Sequence, residues 1–393
     1  MKNDLFVEVG HFLRQKAGNE VCGDVFLSQK INAEKRTIII LSDGLGSGIK
    51  ANILATMTAS MALNFIKSNS PIEHTARIIM NTLPIDSFRK ASFSSFTIID
   101  IQEGHKVKLM EYGNPGAIIW RNGSCFEPDK TEVKIRNNKV KQRLYTSEFN
   151  MDMNDRIIVF SDGISQAGMG RPDTPFGWGS DNLRTHLESV INDNRFISAG
   201  DLAKNIVNRA MNRDSFLARD DMSAGSVYFR EPRKMLLCTG PPYKPENDRY
   251  LADSVNIFNG CKIICGGTTA QIVSRILDRE VTLNMADATE GLPPDASMDG
   301  VDLVTEGILT IGRVSEFLER YDQLADDIKG PAGKIIKFFH RNDEIHFLVG
   351  TRVNEAHQDP NLPVELEIRR NVVKKIAQLL EKKFLKGTEI EYI

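Results

Sequence analysis

The chain has 393 residues, beyond the size at which one hydrophobic core usually keeps growing, so two domains are expected. Hydrophobic residues at 41% and charged residues at 26% exclude a mostly disordered, collagenous or disulfide-stapled chain. Fifty Lys and Arg against 52 Asp and Glu leave a net charge of −2, so no overall field attracts nucleic acid or an anionic membrane, and neither is expected as a partner.

The chain opens with MKNDLFVEVG, which places Asp4 and Glu8 where an export signal is apolar. No window of about 18 uncharged apolar residues is apparent, so neither export nor membrane spanning is expected. Thr37 to Leu41, TIIIL, is a β-branched run that reads as a strand buried on both faces. It meets Gly44, Gly46 and Gly48, and a helix follows. In that helix Ile53, Met57, Met61 and Phe65 recur four apart, which predicts an apolar stripe facing a core. Further runs, FTIID, KVKLMEY, AIIW, RIIVF and AGSVYF, are separated by Gly, Asn, Pro and Asp and predict a sheet-rich domain, the first two forming a hairpin around Gln102 to His105. The cysteines, Cys22, Cys125, Cys238, Cys261 and Cys265, are scattered without a C-x-x-C pair. Neither a disulfide framework nor a zinc site is indicated, and a reducing cytoplasm fits.

Glu231, Pro232 and Arg233 interrupt this pattern, and the boundary is placed there, giving domains of residues 1–232 and 233–393. MLLCTG reads as a strand, Pro245 to Phe258 as a helix, KIIC as a second strand and Thr268 to Leu277 as a second helix, which is βαβ order with neighbouring parallel strands. Val372, Val373, Ile376, Leu379 and Leu380 follow the spacing of one helix face.

The chemistry-bearing residues are aspartates at strand ends or turns: Asp24 in CGD, Asp43 in SDG, Asp162 in SDG, and Asp220 with Asp221 in RDD. Asp has low strand propensity, so Asp43 after TIIIL and Asp162 after RIIVF would end two buried strands with carboxylates near one another. Several carboxylates do not sit together unpaired, and the partner that best relieves them is a hard divalent cation with oxygen ligands. Asp-Gly after a strand is also an ordinary turn, and on composition alone both readings stand.

Asp24 in CGDVF, DGLGSG from Asp43 to Gly48, DRIIVFSDGISQAG from Asp155 to Gly168, and RDDMSAGSVYF from Arg219 to Phe229 resemble, in order, the motifs of the SpoIIE and RsbU branch of PP2C-type metal-dependent serine/threonine phosphatases. FTIIDIQEGHKVKLMEYGNPGAIIWRNG, Phe96 to Gly123, resembles the hairpin and strand between those motifs, so the likeness covers residues 1 to about 230. It implies an α+β fold, an α/β/β/α sandwich of two antiparallel sheets, ahead of the C-terminal α/β domain that the βαβ order predicts. It also implies two Mn²⁺ or Mg²⁺ ions: Asp43 would bridge them, Asp162 and Asp220 would complete one, and Asp24 with the Gly44 carbonyl would serve the other. Asp221 would orient Asp220 or a metal-bound water. Ser223 falls at the usual Thr or Ser position, and Leu45 replaces the more frequent Met, a volume-conserving swap. The Arg that grips phosphate in many eukaryotic relatives has no match.

The implied activity is hydrolysis of phosphoserine or phosphothreonine by a water bridging the two metals, on a regulatory partner, a STAS-type anti-anti-sigma protein. The cysteine route is excluded, because none of the five cysteines has an Arg six places on. His11 and His186 are the candidates for a general acid, each read first as an ordinary surface or core residue. The alternatives are a phosphatase-fold module that binds a phosphorylated partner without turnover, and a small-molecule sensor in the C-terminal domain. In that domain Gly266, Gly267, Thr268 and Thr269 form a candidate ligand loop, with the competing reading of a tight turn capped by Thr268 or Thr269. The domain is also a candidate dimerisation surface, and His357 in the polar stretch Asn354 to Pro363 is a candidate binding residue, read first as merely exposed.

Overall fold

The computed structural model describes residues 5–82, 94–137, 140–172, 174–284, 294–320, 329–352 and 362–393; His357 and most of its loop lie outside them. The chain divides into two compact units, Met1–Glu231 and Pro232–Ile393.

In the first unit β1 (Phe6–Arg14), β2 (Asp24–Ile31) and β3 (Arg36–Gly44) lead into helices α1 (Ile49–Lys67) and α2 (Ile72–Thr82). Seven strands follow: β4 (Ser94–Gln102), β5 (Lys106–Tyr112), β6 (Ile118–Arg121), β7 (Ser124–Phe126), β8 (Thr131–Asn137), β9 (Val140–Asn150) and β10 (Arg156–Phe160). Helices α3 (Asp162–Ser165), α4 (Gly179–Asp193) and α5 (Ala199–Arg213) precede the last strand, β11 (Met222–Arg230).

These strands form two antiparallel sheets, ordered β2-β3-β4-β5-β9-β8 and β1-β11-β10-β6-β7. Side-chain alternation explains their apolar runs. Ile39 and Leu41 of β3 meet Ile157 and Val159 of β10 in a core between the sheets. Ile38 and Ile40 point the other way, onto Ala59, Ala62, Ile66 and Ile79 of α1 and α2. Ile158 and Phe160 likewise face Leu183, Leu187, Ile206 and Val207 of α4 and α5. A strand sandwiched on both faces reads as a continuous hydrophobic run, and the four layers make an α/β/β/α sandwich. The β4–β5 hairpin turns through Glu103–His105.

The face of α1 differs from the predicted stripe. Ile53 and Met57 are 52% and 48% exposed, whereas Ala51, Ala55, Thr58, Ala59, Ala62 and Ile66 are buried. The cause is close approach: a Cβ added to Gly44 would stand 2.1 Å from the Ala51 carbonyl oxygen, so the helix start lies against the strand end and small side chains line the contact. By length and composition alone helix α1 is long and apolar enough to cross a membrane, while its Ala59, Ala62 and Ile66 pack in the core beside the first sheet.

In the second unit β12 (Lys234–Thr239), α6 (Asp248–Ile257), β13 (Cys261–Cys265), α7 (Gly267–Leu277), β14 (Val281–Leu283), β15 (Ala296–Met298) and β16 (Val301–Thr305) come first. Helices α8 (Ile308–Arg320) and α9 (Gly330–Arg341), strand β17 (Glu344–Val349), α10 (Leu362–Phe384) and β18 (Gly387–Tyr392) complete it. The sheet order is β14-β15-β16-β13-β12-β17-β18. Strands β16, β13, β12, β17 and β18 are parallel, and β14 and β15 add an antiparallel edge, so the sheet is mixed. One face packs on α6 and α7 through Leu251, Val255, Ala270 and Val273. The other packs on α8, α9 and α10 through Ile311, Val314, Ile335, Phe339, Val373 and Ile376.

Candidate metal centre

Register brings the first pair of carboxylates together. Asp24 opens β2 directly opposite Asp43 on β3, so two acidic side chains stand on neighbouring strands at one end of the first sheet. Asp43 is tied from behind, its carbonyl accepting from Ser94 Oγ at 2.9 Å, and Ser94 in turn shares a 2.7 Å hydrogen bond with Ser42. The Cys22 carbonyl accepts from Asn52 Nδ2 at 2.8 Å, which anchors the segment before Asp24 to α1.

The second sheet supplies the others. β10 and β11 are adjacent and antiparallel, so the residues after Phe160 run beside those before Met222. Ser161 N donates to the Ser223 carbonyl and Ser223 N to Ser161 Oγ, both at 3.0 Å. A Cβ added to Gly163 would stand 2.1 Å from the Asp221 carbonyl oxygen, so only glycine lets the Asp162 turn lie against the Asp220–Asp221 turn. Gln166 Nε2, one helical turn on, donates to Asp162 Oδ2 at 2.9 Å.

Asp221 is buried beneath the group. Lys16 N donates to its Oδ1 at 2.9 Å, and its own N donates to Asp220 Oδ1 at 3.0 Å. Its Oδ2 lies 2.7 Å from where a Cβ on Gly23 would be, and therefore against the Asp24 segment. Ser223 is wholly buried, its backbone bonded to Ser161 at the end of the neighbouring strand.

The electrostatics show that the two sheets' carboxylates act on one another. Burial raises the Asp43 carboxyl above its ordinary range, and the charges of Asp24, Asp162 and Asp220 raise it further. Burial likewise raises Asp24; the nearby Ser223 and Ser161 hydroxyls offset part of this, while the charges of Asp221 and Asp162 add to it. Asp162 is raised by burial and then by Asp220. The Cys22 thiol is pushed up by burial and by Asp24, which keeps it protonated and unreactive.

Among the described residues, no three His, Cys, Asp or Glu side chains are placed so that together they could hold a metal ion. The donor set nevertheless fits a hard divalent cation: it is all carboxylate oxygen, and Asp24 Oδ2 and Asp221 Oδ2 are buried without a hydrogen-bond partner. Asp24, Asp43, Asp162 and Asp220 would hold the ions. Gly44 ends β3 beside Asp43, pressed onto the first turn of α1.

The histidines are engaged elsewhere. His11 is stacked on Phe26 with ring centroids 4.4 Å apart, and burial lowers its pKa. His186 shares a 2.8 Å hydrogen bond with Asn205 and packs on Trp178. Sequence reasoning missed Gln166, Lys16 and Asn52. Only Gln166 carries a local signal, its spacing of four from Asp162 on a helix.

The family model for Stage II sporulation protein E matches residues 33–230. Among solved structures, the phosphatase domain of SpoIIE from Bacillus subtilis is 16% identical, with a TM-score of 0.44, covering 59% of this chain and 95% of that one. The RsbU and RsbW domains of a Mycobacterium tuberculosis protein are 13% identical, with a TM-score of 0.48, covering 70% and 73%. RsbX in complex with magnesium is 19% identical, with a TM-score of 0.40, covering 58% and 98%. No curated protein matches the chain.

Proposed function

This chain belongs to the SpoIIE family of PP2C-type phosphatases, and from that premise we propose that its first unit is a metal-dependent phosphatase hydrolysing phosphoserine or phosphothreonine esters of a regulatory protein of STAS type. The observation that carries the reading is the convergence of Asp24 and Asp43 from one sheet with Asp162 and Asp220 from the other, each within electrostatic reach of its neighbours. Like charges gathered at the rim of two rigid sheets destabilise the fold unless they serve a cation.

Two divalent cations, Mn²⁺ or Mg²⁺, would supply ionisation of the attacking water and neutralisation of the phosphoryl oxygens. The chain's own residues supply position. Asp43 is fixed by strand pairing and by Ser94 behind it, and Asp162 by Gln166. Asp221 draws the Asp220 turn toward Lys16, so the carboxylates of one sheet are aligned to those of the other before substrate arrives. With His11 and His186 held elsewhere, neither is assigned as the proton donor to the leaving oxygen.

The test is turnover of p-nitrophenyl phosphate and of a phosphoserine peptide with Mn²⁺, in wild type and Asp162→Asn. Activity lost in EDTA and in the variant supports the reading. A variant that turns over both substrates as fast as wild type overturns it.

A further inference from the structure

We propose that the second unit binds a small, hydroxyl-bearing phosphate ester at the carboxyl ends of its parallel strands, on the first turns of α7 and α8. From β13 the chain continues through α7 toward β14 and β15, whereas from its neighbour β16 it continues through α8 and α9 to β17 on the other side, so the direction of crossover reverses between β13 and β16. Helices α6 and α7 cover one face and α8, α9 and α10 the other. Open α/β sheets receive ligands in the crevice beside such a reversal, outside the carboxyl strand ends.

Bare backbone gathers there. Gly266 N donates to the Thr305 carbonyl at 2.8 Å, and a Cβ added to Gly266 would lie 4.0 Å from Gly240 N. A Cβ on Gly307 would lie 3.4 Å from Gly266 Cα, so the turns after β13 and β16 touch. Gly266 has φ of 136°, a conformation that L side chains rarely adopt. It is also the N-cap of α7, with no side-chain hydrogen bond to that helix end; the expectation that Thr268 or Thr269 caps the helix is corrected. Two helices of 11 and 13 residues thus begin side by side, with their N–H groups at the same edge.

A second, independent observation points to a ligand. Thr269 is 1% exposed, its Oγ1 has no hydrogen-bond partner, and that oxygen lies 3.1 Å from the Cβ position on Gly266, facing the turn. Thr310, in the first turn of α8, and Thr239, the last residue of β12, are both wholly buried with unpartnered hydroxyls. A buried hydroxyl without a partner costs free energy, and that of Thr269, facing the Gly266 turn, marks a place prepared for an acceptor. The Arg369 guanidinium lies 2.6 Å from the Cβ position on Gly240 and adds positive charge. Glu306, between Thr305 and Gly307 in the turn after β16, carries a buried, unpartnered Oε2. A carboxylate accepts from a ligand hydroxyl, which suits a phosphate ester with hydroxyls of its own; inorganic phosphate at neutral pH also carries a P–OH, and the titration tells the two apart.

The test is calorimetric titration of the full chain in EDTA, which keeps cations from the acidic centre, with inorganic phosphate, ribose 5-phosphate and AMP as probes. Gly267 opens α7 into free space. Gly267→Asp therefore favours the helix dipole while repelling an anion. Wild type is expected to bind at least one of the two esters. Gly267→Asp and Thr269→Val should each weaken that binding about tenfold or more, with ligand-free melting temperatures unchanged or higher. No ester binding in wild type, binding of inorganic phosphate alone, or undiminished ester binding in both variants overturns the proposal.

Discussion

Replacing Asp43 by Asn should inactivate the first unit and at the same time make the metal-free protein more stable. The carboxyl of Asp43 is held above its ordinary pKa of 3.8 by burial and by three neighbouring aspartates. At neutral pH the folded chain can always relieve that strain by taking up a proton. The cost of doing so bounds the penalty at about 4 kcal/mol, at about 1.36 kcal/mol per pKa unit. Partial exposure and sharing of protons with Asp24 bring the expected gain to about 1–3 kcal/mol. At about 2–4 °C per kcal/mol for a unit of this size, the variant should melt several degrees higher in EDTA at neutral pH. The sign with pH follows from the direction of the shift: a carboxyl raised on folding contributes stability in acid that is lost as pH rises through neutrality. Wild type should therefore lose stability from the acidic range upward more steeply than Asp43→Asn, and the two should converge in acid. Thermal melts at several pH values in EDTA, repeated with Mn²⁺, read all of this. Mn²⁺ should raise the melting temperature of wild type but not of the variant. An Asn variant that is less stable than wild type at neutral pH in EDTA, or equally stabilised by Mn²⁺, would refute the reasoning.

Gly163→Ala should drive a Cβ into the Asp221 carbonyl and part the two turns that carry Asp162 and Asp220. The expected cost is about 1–3 kcal/mol and about a hundredfold in turnover, measurable by urea titration and p-nitrophenyl phosphate assay. At the far end of β3, Arg36 holds Asp100 through Nε at 2.7 Å and Nη2 at 2.9 Å, both side chains being buried. Asp100→Ala leaves a guanidinium without its main partner and should cost about 3–5 kcal/mol by denaturant unfolding. On α1, Met57→Ser should change stability by no more than about 0.5 kcal/mol, whereas Ala59→Leu should cost about 1–3 kcal/mol. Equal effects at the two positions would mean that the other face of the helix is the buried one.

Much of the architecture is legible in local pattern. TIIIL and RIIVF are uninterrupted because both faces of β3 and β10 are covered, and their positions reveal the two middle layers of the sandwich. The βαβ rhythm after Arg233 likewise announces parallel strands, since β12 and β13 are joined by α6. Periodicity alone does not identify the buried face of α1, because Ile53 and Met57 fit an apolar stripe as well as Ala55 and Ala59 do. The approach of Gly44 to Ala51 settles it in favour of the small residues.

The acidic residues and their turn chemistry belong to the amino-acid order alone, because Asp and Gly at strand ends have local causes. Their meeting does not. Asp24 faces Asp43 only through the register of β2 on β3, and Asp162 approaches Asp220 only because β10 pairs with β11. The packing of the two sheets then brings both pairs within reach of each other's charge. Register and layer packing are set by burial summed over many remote residues, and it is that sum, absent from any short window, that turned scattered carboxylates into one site.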